Sequence, residues 1–122
     1  MGCMSGSSSC AKAVAYLREK QLLHQGSAVG AVLAGDSKRR AMQMSAMKAK
    51  GCYTGFPDLI IFAPGANGTH ALTVELKVGR NSLTAEQGIW KEKLLDAGYA
   101  HAVVYTLEEF TAVVEAHVHG AG

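Results

Sequence analysis

The sequence predicts an α/β fold in which a mixed central sheet is flanked by helices. Three observations carry that reading. Short apolar runs of strand length alternate with segments of helical period, in the order α, β, α, β, β, α, β, α. Two of the runs, one ending at Phe62 and one from Ala71 to Val78, are joined by a turn-rich loop, as in an antiparallel hairpin. A helical stretch then separates the second run from a third, and strand, helix, strand implies a right-handed crossover and a parallel pair.

Size and composition narrow the classes. A length of 122 residues predicts one domain, residues 10–122, behind a Gly/Ser-rich segment at residues 1–9 read as disordered. The apolar fraction of 48% supplies one core and leaves little for a second. A net charge of +2 does not by itself point to nucleic acid. No apolar run is long enough to span a membrane, and the first ten residues lack the apolar centre of a signal peptide, so a cytoplasmic setting is expected. Cys3, Cys10 and Cys52 have no metal-ligand spacing and read as free thiols in a reducing environment. His117 and His119, two apart on a helix, splay away from each other and read as surface residues.

Each element has its own signals. A first helix is expected from Cys10 to His24, with Ala13, Val14, Leu17, Leu22 and Leu23 as its apolar stripe, Ser9 as cap and Gln25-Gly26 as stop. The run from Ala28 to Ala34 reads as the first strand. From Ser37 to Pro57 there is no acidic residue, yet five of the twelve Lys and Arg residues fall there: Lys38, Arg39, Arg40, Lys48 and Lys50. Such a segment suits either a phosphate-tracking surface or a solvated helix face. A second helix is expected from Ala41 to Lys50, with Met44 and Met47 on one side, closed by Gly51. Tyr53 and Phe56 follow, as packing residues or as base-stacking ones. After the hairpin, Arg80 leaves the sheet in a loop, free for solvent or for a phosphate. Thr84-x-x-Gln87 is a capping box opening a helix to about Ala97, with Ile89, Trp90, Leu94 and Leu95 toward the core and Gly98 as its stop. Tyr99 to Tyr105 reads as a strand, and Thr106-x-x-Glu109 opens a last helix to about His117.

The chemistry concentrates in the hairpin. Asp58 stands at the mouth of its first run, and Glu75 and Lys77 lie on one face of the second. Charges in an apolar strand are costly to bury unless they pair or bind something. Antiparallel pairing brings Asp58 near Glu75 and Lys77. The trio is either a divalent-cation site, since hard ions take carboxylate oxygens, or a salt-bridged cluster with no ligand.

The ordered set Gly55-Phe56-Pro57-Asp58-Leu59, then Val74-Glu75-Leu76-Lys77, then Leu83-Thr84-Ala85-Glu86-Gln87 resembles the PD-(D/E)xK nuclease core, in its VRR-Nuc branch of virus-type replication and repair nucleases. The resemblance covers roughly Gly35 to Val118. It implies a restriction-endonuclease-like core and hydrolysis of DNA phosphodiesters with Mg2+ or Mn2+. Asp58, Glu75 and the backbone carbonyl of Leu76 are then the expected metal ligands, with Lys77 and Gln87 as catalytic partners. Family members usually add an acid from the first helix, and Glu19 is its only carboxylate here. Beside this motif, Lys38, Arg39, Arg40, Lys48, Lys50 and Arg80 are expected DNA contacts. The resemblance further implies a stand-alone, dimeric, Holliday-junction-resolvase-like enzyme acting in the cytoplasm, or phage- or virus-encoded and acting inside a host cell. Its alternatives are a less selective flap or single-strand nuclease, a DNA-binding accessory protein with an incomplete metal site, and a purely structural domain.

Overall fold

The computed structural model describes residues 6–27, 35–51, 53 and 55–120. Among them the expected alternation appears as α1 (Gly6–Glu19), β1 (His24–Gly26), α2 (Ser37–Ala49), β2 (Leu59–Ile61), β3 (Leu72–Leu76), α3 (Ala85–Asp96), β4 (Ala100–Val104) and α4 (Leu107–His119). The strands form one mixed sheet in the order β1-β2-β3-β4. The first two neighbouring pairs are antiparallel, and β3 and β4 are parallel across α3.

The N-terminal boundaries differ from expectation. The first helix begins at Gly6, inside the stretch expected to be disordered, and stops at Glu19 instead of reaching His24. It stops because Gln21 adopts the left-handed conformation, φ +59°. Gln21 N–H donates to Arg18 O and Leu22 N–H to Leu17 O, the bond pair of a Schellman cap. That cap frees His24–Gly26 to pair with β2, so the first described strand comes earlier than the sequence implied. The expected strand at residues 28–34 lies outside the described residues.

The core lies on one face of the sheet. Leu59, Ile61, Leu72, Val74 and Val104 meet Ala13 and Leu17 of α1 and Phe110 and Val114 of α4. Truncating Leu17 or Phe110 to alanine removes packing worth about 2–5 kcal/mol. His117 belongs to this side and is buried, contrary to its surface reading; its Nε2–H donates to Ala63 O at 2.6 Å. A histidine on the inner face of a helix is retained because one loop carbonyl satisfies it.

The opposite face carries Thr73, Glu75 and Lys77, and α3 reaches it through Gln87, which bonds both Glu75 and Lys77. Helix α3 buries Leu94 alone. Ile89 and Leu95, expected inside, are exposed, and Trp90 packs edge-on against Phe56 with ring centroids 5.1 Å apart. The capping boxes read from sequence set both late helices. Thr84 and Gln87 bond reciprocally at α3, whereas at α4 Thr106 accepts from Glu109 N–H and the Glu109 carboxylate reaches Tyr105 N–H. Helix α2 starts earlier than expected, capped by Asp36, whose carboxylate accepts from Arg39 N–H; none of its residues is buried.

Candidate active site

Three local features aim the first carboxylate. Gly55 has φ +90°, and a Cβ there would meet the Glu86 backbone at 2.6 Å. Only glycine therefore lets the loop ahead of β2 pass against the first turn of α3. Pro57 is fully buried and fixes the backbone just before the strand. Asp58 Oδ2 then accepts from Leu76 N–H at 2.7 Å, tying the mouth of β2 to the end of β3. The N–H and C=O of a strand residue point the same way, so the Leu76 carbonyl leaves β3 on the side of Asp58.

The second carboxylate comes from register. Leu59 pairs with Val74, so one step back along the antiparallel ladder Asp58 comes opposite Glu75. Glu75 is only 3% exposed, and its Oε2 is buried with no hydrogen-bond partner. Burial pushes its carboxyl up to about 8; the charge of Asp58 acts in the same direction, and Lys77 acts against them. Two carboxylates in contact inside a protein resist ionising together.

Helix α3 brings in the remaining groups. Gln87 Nε2 donates to Glu75 Oε1 at 3.1 Å. Its Oε1 accepts from Lys77 Nζ at 2.6 Å and from Thr84 N–H at 2.9 Å. One side chain thus closes the helix cap and bridges Glu75 to Lys77. Among the described residues Lys77 makes no ion pair with either carboxylate, so the salt-bridged trio does not form.

Asp58, Glu75, Lys77 and Gln87 are therefore brought together, with the Leu76 backbone beside them. Glu19 is not. It is exposed at the far end of α1, where its charge is felt by Tyr16. Among the described side chains of α1, Cys10 feels the carboxylates: its thiol is pushed up by burial and then by the charge of Asp58. Nine residues separate Cys10 from Glu19, about 13 Å along a helix, so one end of α1 faces the site and the other cannot. No third His, Cys, Asp or Glu joins the pair in a metal-binding group among the described residues. Lys38, Arg39, Arg40, Lys48, Lys50 and Arg80 are all exposed. None forms an ion pair among the described residues.

The donor set fits a hard divalent cation: two adjacent carboxylates, an orphaned buried oxygen and no ammonium within ion-pair distance among the described residues. A mixed sheet with a core-facing helix pair and a carboxylate–lysine face defines a PD-(D/E)xK-like nuclease fold. The VRR-NUC domain profile matches residues 8–107, and the chain belongs to that family of nuclease-type domains. Among solved structures, a VRR_NUC domain protein is 30% identical with a TM-score of 0.56, over 63% of this chain and 64% of that one. This chain thus aligns with under two thirds of that protein's length. A search of curated proteins finds no match.

Proposed function

We propose that the chain is a Mg2+- or Mn2+-dependent, structure-specific DNA endonuclease that hydrolyses phosphodiester bonds in branched DNA, acting as a homodimer on four-way junctions. The observation that carries the metal-dependent part is Glu75 Oε2, buried without a partner beside Asp58. Asp58, Glu75 and the Leu76 carbonyl would hold the cation. When bound, it supplies charge neutralisation and Lewis-acid polarisation of the phosphate. Lys77, held by Gln87, donates a hydrogen bond to the attacking water or to a phosphate oxygen as negative charge develops. Water oxygen forms the new bond to phosphorus, the ester bond to the leaving oxygen breaks, and the proton lost by water replaces that bond on the leaving group. Gln87 fixes Lys77 relative to Glu75, so the two act as one preorganised unit.

The basic residues of α2 support the DNA part. A helix with no buried residue and five exposed cations in and beside it, none of them ion-paired among the described residues, suits the phosphate backbone better than a protein core. None of these residues forms a base-reading motif, which favours recognition of DNA shape. A two-fold dimer would present two such sites to the two strands of a junction.

One observation favours a second reading. Helix α1 brings no described carboxylate beside Asp58, which suits a DNA-binding accessory protein with an incomplete metal site. Cleavage of a labelled four-way junction, a 5′ flap, a duplex and a single strand, in Mg2+, Mn2+ or EDTA, separates the readings. Paired, metal-dependent nicks in the junction alone support the resolvase. Cutting of every substrate supports a less selective nuclease, and binding without cutting supports the accessory protein.

A further inference from the structure

One helical turn beyond Gln87, α3 borders a second site. Lys48 of α2, Tyr53, and Glu86, Trp90 and Lys93 of α3 line a cleft of about 330 Å3. The Tyr53 and Trp90 rings stand 5.9 Å apart at 33°, and Lys93 Nζ lies 5.4 Å from the Trp90 ring centre. Tyr53 is 45% exposed, so the aromatic wall is not consumed by packing. Phe56 also meets Trp90 edge-on, with ring centroids 5.1 Å apart.

The lining describes a ligand. Two aromatic rings tilted 33° to each other, with Tyr53 45% exposed, offer a face to a flat π-system. Two ammonium groups at the rim call for an anion attached to it. Glu86 on the same rim accepts hydrogen bonds and suits a ligand that also carries N–H donors. A nucleotide with an exocyclic amine combines all three. A base paired inside a duplex keeps both faces against its neighbours and cannot reach these rings, so the ligand is an unpaired nucleotide. The cleft also has the right address. Gln87 and Trp90 are three residues apart on α3, about 4.5 Å along its axis, and Gln87 touches both Glu75 and Lys77.

We propose that the Tyr53–Trp90 cleft binds one unpaired nucleotide of the DNA next to the phosphate presented to Asp58 and Glu75, and so selects single-stranded or branch-point positions. The proposal rests on the nuclease reading of the carboxylate pair, and it is tested by binding alone. Trp90 is the only tryptophan of the chain, so its fluorescence reports on the cleft directly. The full chain is titrated in EDTA with oligodeoxycytidylate, with oligothymidylate and with a duplex of equal length. Expected are saturable quenching by both single strands, tighter for cytidylate because thymine lacks the exocyclic amine, and little quenching by duplex. Tyr53→Ala weakens single-strand binding about tenfold or more, Tyr53→Phe restores it, and Lys93→Gln weakens it less. Circular dichroism checks that each variant is folded.

Absence of quenching by either single strand in the folded chain overturns the proposal. So does duplex affinity equal to that of the single strands, or a Tyr53→Ala variant that binds like the parent. The two readings fail separately. Metal-dependent cleavage without single-strand quenching removes the cleft and leaves the nuclease. Quenching with the expected variant pattern, but no cleavage, leaves the cleft and removes the nuclease.

Discussion

Lys77 Nζ donates to Gln87 Oε1 at 2.6 Å and pairs with neither Asp58 nor Glu75, although it shares a strand face with Glu75. The lysine is held by a neutral amide, and the two carboxylates share a buried corner without an ion-paired cation among the described residues. That division of partners is what distinguishes this hairpin from a structural ion-pair cluster.

The first consequence is a pH dependence of stability in EDTA. The Glu75 carboxyl is raised from 4.5 to about 8 on folding, so the folded chain holds its proton more tightly than the unfolded one. The associated stability is fully present below pH 4.5 and is lost as pH rises to about 8, on the order of a few kcal/mol. Glu75→Gln removes the titrating group and flattens this part of the profile, while raising stability at pH 8. Denaturant midpoints across the range, parent against variant, check it. Mn2+ should stabilise the parent more at pH 8 than at pH 5, because its ligands must be deprotonated.

Gln87 combines a cap with a bridge, and two variants separate the roles. Thr84→Ala removes the hydroxyl that accepts from Gln87 N–H and should cost about 1 kcal/mol of stability, with activity largely kept. Gln87→Ala frees Lys77 as well and should lower cleavage by about tenfold or more, beyond its effect on stability. Thermal melts beside single-turnover cleavage rates check both. Equal activity losses in the two variants would make the bridge irrelevant.

Gly55→Ala should destabilise by about 1–3 kcal/mol, from strain at φ +90° and a clash with the Glu86 backbone. Because the clash pushes on the first turn of α3, Gln87 shifts too, and metal-dependent activity should fall in the fraction that remains folded. Gly68→Ala is the control. Gly68 also has positive φ, but a Cβ there meets nothing within 4 Å, so it carries the backbone strain without the clash.

Replacing Lys38, Arg39 and Arg40 together with glutamine should leave stability within about 0.5 kcal/mol, since all three are exposed. DNA affinity should fall, and the slope of log affinity against log salt should become shallower by about one per lost phosphate contact. Fluorescence anisotropy at several salt concentrations checks it. An unchanged slope would assign the basic helix to something other than DNA.

Much of this was legible in the sequence where the determinant is local. The two capping boxes, the glycine stop at Gly98 and the alternation of Glu75, Leu76 and Lys77 are all short-range signals, and α3, α4 and the site face followed from them. The stop of α1 was missed because it is the same type of cap built on Gln21, a residue with no special preference for the left-handed conformation. The exposure of Ile89 and Leu95 was missed because an apolar face predicts burial only when an apolar face opposes it. Here α3 meets β3 through a polar contact, Gln87 to Glu75, whose place the hairpin register decides. Glu19 was assigned by residue type, and the one-sided approach of α1 put Cys10 near the site in its place.

The central claim is that Asp58 and Glu75 together hold the cation that cleavage needs. Its most direct test is cleavage of one labelled branched DNA in Mn2+, with and without EDTA, by the parent, Asp58→Asn and Glu75→Gln. Both substitutions preserve shape and remove charge. We expect the parent to cut only with the metal, and both variants, though folded, to lose about a hundredfold or more in rate. Cutting by either folded variant at the parent's rate, or by the parent in EDTA, would contradict it.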